Sequence, residues 1–93
     1  AARLLEQQQL AELLATLRQQ NDAFQAAADE GATGEKRRLR RERANTMLRV
    51  NVVLARLGEV ERLQQLERLP FDGKVVALEQ TLEQLKQRSG AST

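Results

Sequence analysis

The sequence predicts an all-α protein, a helical bundle or coiled coil of three helices completed by oligomerisation. Three observations predict it. The 93 residues include only five glycines and one proline, and are rich in the helix formers Leu, Gln, Arg, Glu and Ala. Apolar residues recur at three- and four-residue spacings, with no alternating strand pattern to compete. Strong breaks fall at two places, residues 29–34 and Pro70.

The first helix is expected over about 3–28. Leu10, Leu17 and Phe24 share one position of a seven-residue repeat, and Gln7, Leu14, Asn21 and Ala28 share the other. Two core positions are therefore polar. Asn21 is the candidate for fixing register in an assembled coiled coil, against the plainer reading of a residue at a wet edge. The helix ends at the Asp-Glu-Gly-Ala-Thr-Gly stretch of residues 29–34, where Gly31 can take the left-handed backbone of a C-terminal cap. Thr33 or Gly34 is placed to cap the next helix.

The second helix is expected over 35–69. Met47, Val50, Leu54 and Leu57 step by three and four. From Leu57 through Val60, Leu63, Leu66 and Leu69 every step is three. Each three-residue step falls about 60° short of a full turn, so the apolar stripe winds around the helix. Either partners surround this stretch, or the helix breaks at Gly58 and restarts with a new facing. Unbroken, it would span about 50 Å and leave leucines for a second chain to cover. The third helix is expected over 72–88, after Pro70, with Asp72 as N-cap and Phe71 stapled to Val76. Its seam is Val75, Leu78, Leu82 and Leu85. Residues 89–93 read as frayed coil.

Charge is sorted along the chain. Residues 1–30 hold two arginines against five acids, net −3; residues 31–57 are net +6; the remainder is −1, giving the overall +2. Residues 36–43 concentrate six cations in eight positions: Lys36, Arg37, Arg38, Arg40, Arg41 and Arg43. They stand at a helix N-terminus, where the dipole opposes positive charge. Phosphates of a nucleic acid, an anionic lipid headgroup or an acidic protein partner would compensate them. So would Asp22, Asp29 and Glu30, if the first two helices pack antiparallel.

The chain has no Cys, His, Trp or Tyr. That removes thiolate and imidazole metal sites, Cys–His and Ser–His catalysis, and disulfides. No carboxylate pair is marked out by apolar surroundings, so no enzyme activity, cofactor or metal is expected. Apolar runs reach only four residues, as at 52–55, far short of a membrane span, and no signal-peptide pattern opens the chain. An intracellular place, in cytoplasm or nucleus, is the expectation. Because residue 1 is Ala and helical patterning is running by Leu4, the chain reads as a fragment or processed form.

The expected function is a non-catalytic oligomerisation or protein–protein interaction module for assembly or scaffolding, of adaptor or chaperone type. Its partner would be itself, another helical protein, or both. The interface residues would be Leu10, Leu17, Asn21, Phe24, Val50, Leu54, Leu57, Leu78, Leu82 and Leu85. The alternative is a nucleic-acid-binding helical protein using residues 36–43 on phosphates.

Overall fold

A computed structural model describes residues 2–91, with side chains for 4–88. The described residues form four helices where three are expected: α1 (Ala2–Glu30), α2 (Thr33–Arg56), α3 (Val60–Glu67) and α4 (Phe71–Ala91). The extra boundary is at Gly58. Its φ of 79° is a left-handed conformation that favours glycine. The Glu59 N–H donates to the Leu54 carbonyl and the Gly58 N–H to the Ala55 carbonyl, both at 3.0 Å. That is the paired bonding of a Schellman cap, which satisfies carbonyls the ended helix would otherwise orphan. The same device ends α1. Gly31 has φ 72°, and the Ala32 N–H reaches the Ala27 carbonyl at 2.9 Å.

The break explains the run of three-residue steps. α3 faces a new direction and runs back along α2, so no 50 Å helix stands bare. Leu66 is buried and Leu57 and Leu63 are half-buried against the chain's own core, while Val60 and Leu69 stay exposed.

Three local expectations also change. Ala32, not Thr33 or Gly34, occupies the N-cap of α2, with no side-chain cap bond. Helix α4 begins at Phe71, because the Pro70 carbonyl accepts from the Lys74 N–H at 2.9 Å. Asp72 is thereby drawn into the first turn, and Val76 is exposed rather than stapled to Phe71. Helix α4 continues to Ala91, past the expected coil start at residue 89; residues 92–93 lie outside the described residues.

The helices pack as an antiparallel bundle. Along α1, Gln20 meets Thr46 and Phe24 meets Arg43 of α2, so the two run opposite ways. Gln7 meets the Leu85 carbonyl and Arg18 meets Glu79, so α4 also opposes α1. α3 bridges α2 and α4 from the other side, with Arg62 bonded to Gln84 and Arg88 to Glu59. One core is shared by all four: Leu10, Leu14 and Leu17 from α1; Met47, Val50, Val53 and Leu54 from α2; Leu66 from α3; and Val75, Leu78, Leu82 and Leu85 from α4. Burying each such leucine contributes roughly 1.5–3 kcal/mol.

The molecule is long, 49 × 22 × 17 Å, with a radius of gyration of 14.3 Å, above the ~12 Å of a compact chain of this length. The cause is the hairpin of α1 and α2. Its tip runs past the start of α4 and is held by a separate small cluster of Phe24, Ala27 and Leu39. The basic run lies on this projecting part.

Candidate interaction surface

The hairpin tip places the six cations differently. Arg43 points inward. Its guanidinium carbon lies 3.7 Å from the centre of the Phe24 ring and 4.1 Å from that of Phe71, stacked between α1 and α4. It donates to Asn21 Oδ1 at 2.8 Å, and Asn21 Nδ2 donates to Asp72 Oδ1 at 2.7 Å. Burial pushes the Arg43 guanidinium below its ordinary value; the nearby Arg40 charge adds to this and Asp72 opposes it. Arg43 and Asn21 thus join three helices within one chain. The Asn21 side chain is buried and satisfied there, which replaces both the register role and the wet-edge reading.

Arg38 is used within its own helix. It bonds Glu35 one turn back and Glu42 one turn on, the latter at 2.8 Å. The Glu35 bond and charge, then Glu42, hold its guanidinium above the ordinary value. With Glu35 in the first turn, this pairing answers the dipole problem at the start of α2. Lys36 and Arg40 lie over the outer side of Phe24, at 5.9 and 5.6 Å from the ring centre.

Arg37 and Arg41 remain exposed without an acidic partner. α1 and α2 pack antiparallel, yet among the described residues Asp22, Asp29 and Glu30 pair with none of the basic run. The rotation of α1 is set by Leu17, Phe24 and Ala27, which must face inward, and the acids fall on other faces.

The apolar positions assigned to an interface are occupied within a single copy. Leu10, Leu17, Val50, Leu54, Leu78, Leu82 and Leu85 are buried in the four-helix core, and Phe24 in the tip cluster. Different residues are bare. Leu48 is 63% exposed and Val52 50% exposed, one turn apart on the side of α2 away from the core. Spacing could have revealed them, since both stand off the Met47–Val50–Leu54–Leu57 stripe. Arg37 and Arg41 precede them on the same face, while Arg49 and Arg56 flank them, also exposed and without a carboxylate partner.

Beside this face, α1 and α2 form an open groove of about 460 Å³. Its lining includes Leu13, Val52 and Val53, with Arg49 and Arg56 on the α2 side and Glu12 on the α1 side. Helix α4 is engaged from Gln7, Arg18 and Asn21, on the opposite flank of α1.

No helix among the described residues is long and apolar enough to cross a membrane. No protein-family model, curated protein or solved structure matches the chain.

Proposed function

We propose that this chain is a non-catalytic helical interaction module that joins a larger protein assembly through the outward face of α2. One observation carries the reading: Leu48 and Val52 are bare on a face that also holds four unpaired arginines. Single exposed apolar residues are ordinary on any surface. Here they are grouped with cations that neither α1 nor α2 itself neutralises, and charge-assisted bonds to carboxylates would satisfy them. Self-association through this face is opposed, because two copies would bring like charges together.

The test is a photocrosslinking residue at position 48, with Val76 on α4, 54% exposed, as the control position. Position 48 is expected to capture a defined protein in the source cells, surviving nuclease treatment and lost when Val52→Asp is added. Equal capture from position 76, or none from position 48, refutes the reading.

A second reading is favoured by the free Arg37 and Arg41 on the projecting tip: binding of nucleic-acid phosphates. It predicts a fall of ~0.9 log units in affinity per phosphate contacted for each tenfold rise in salt. It also predicts a large loss of duplex binding in the Arg37→Ala/Arg40→Ala/Arg41→Ala variant.

A further inference from the structure

We propose that the groove between α1 and α2 seats an acidic amphipathic helix of another protein. The inference rests on the reading of α2 as the docking face and names what docks there. The groove has the two elements such a helix requires. Leu13, Val52 and Val53 supply an apolar lining, and Arg49 and Arg56 supply two guanidiniums free of any carboxylate. Seven residues separate the arginines, so they share one side of α2 about 10 Å apart along its axis. Carboxylates seven residues apart on a second helix match that separation, with apolar side chains at the three- and four-residue steps between them entering the groove. Arginine suits this role because its planar fork binds a carboxylate through two parallel bonds.

The same features select against other occupants. A second copy docking through the same groove would present its own Arg49 and Arg56 to these. A phosphodiester backbone would use the arginines and leave the apolar lining idle. A lipid surface would leave Val53, which lines the groove and is 5% exposed, untouched. Glu12 on the opposite rim sets the orientation: the incoming carboxylates face α2, and the edge facing α1 is neutral or basic.

The experiment is fluorescence anisotropy of the whole chain with a labelled peptide of about 21 residues, long enough to form helix. Leucines line one face and glutamates flank them on one side. A scrambled peptide of the same composition, a lysine-for-glutamate version and a short duplex DNA serve as competitors. The acidic amphipathic peptide is expected to bind, and the scrambled and basic versions to bind at least about tenfold more weakly. Arg49→Glu/Arg56→Glu should weaken binding by about tenfold or more. Arg37→Glu/Arg41→Glu should weaken it less, because Arg41 and Arg37 lie about 12 and 18 Å along α2 from Arg49, beyond the ~8 Å screening length. All four side chains are exposed and unpaired, so the variants are expected to fold, which circular dichroism checks.

No binding, equal binding of the scrambled peptide, tighter binding of DNA, or an equal loss from the tip variant would overturn the proposal. So would a dimer that Arg49→Glu/Arg56→Glu dissolves. If position 48 captures a partner that Arg49→Glu/Arg56→Glu still holds, the groove proposal fails while the docking-face reading survives.

Discussion

Arg43 should behave as a structural residue although its sequence neighbours are surface cations. Replacing it with Ala removes a guanidinium stacked 3.7 Å from one ring centre and 4.1 Å from another. Each cation–π contact is worth about 0.5–1 kcal/mol when exposed and up to about 2 when desolvated. The substitution also removes the 2.8 Å bond to Asn21, and hydrogen bonds to charged groups contribute about 1.5–3 kcal/mol. Part of this gain is offset by burying the cation, the same burial that pushes its pKa down. A net loss of about 2–3 kcal/mol follows, and each kcal/mol lowers Tm by about 4–8 °C in a domain of this size. Thermal and urea unfolding followed by circular dichroism would measure it. Arg43→Lys should recover only part of the loss, since an ammonium cannot stack between two rings in the same way. Arg41→Ala should shift stability by no more than about 0.5 kcal/mol. If Arg41→Ala costs as much as Arg43→Ala, or Arg43→Ala costs nothing, the assignment of these cations to different roles is wrong.

Two further predictions concern the break and the core. At Gly58 an added Cβ would meet nothing within 4 Å. Gly58→Ala should therefore cost only the left-handed backbone penalty of about 1–2 kcal/mol. Gly34→Ala, also in open space but without a left-handed backbone, should be neutral or stabilising by about 0.4–1 kcal/mol; equal effects in melting experiments would contradict the cap geometry. Leu54 is fully buried, and Leu54→Ala should cost about 3–5 kcal/mol. Leu48→Ala should stay within about 0.5 kcal/mol; the reverse order in urea unfolding would place the core on the wrong face of α2.

Local chemistry is what the sequence exposes. Helix content, the Gly31 turn, the stop at Pro70 and the seam of Val75, Leu78, Leu82 and Leu85 all follow from residue type and spacing. The Gly58 boundary was half visible: the change of spacing at Leu57 marks it, but a mid-helix glycine costs only about 1 kcal/mol. The Leu54 and Ala55 carbonyls that close the cap become apparent only in the folded backbone. Arg43 could not be picked out of six cations, because its partners Phe24 and Phe71 are far apart in sequence and meet only when α4 packs on α1. The alternative in which α1 acids neutralise the basic run failed for a related reason. Charge totals per segment ignore the rotation of a helix, which apolar burial decides.

Apolar spacing alone did not separate the leucines that one copy buries from those it leaves exposed. Leu10, Leu17, Leu54, Leu78 and Leu82 have the heptad-like pattern of an interface and are filled by one chain's own helices. Leu48 and Val52 lie off that pattern and are among the apolar residues left bare, with Leu4, Leu5, Val60, Leu69 and Val76.

Sedimentation equilibrium at low micromolar concentration tests most directly whether a single copy closes its own core. The expected result is a folded helical species of 10.5 kDa whose mass is unchanged on dilution. A dimer or larger species that unfolds as it dissociates would contradict the account.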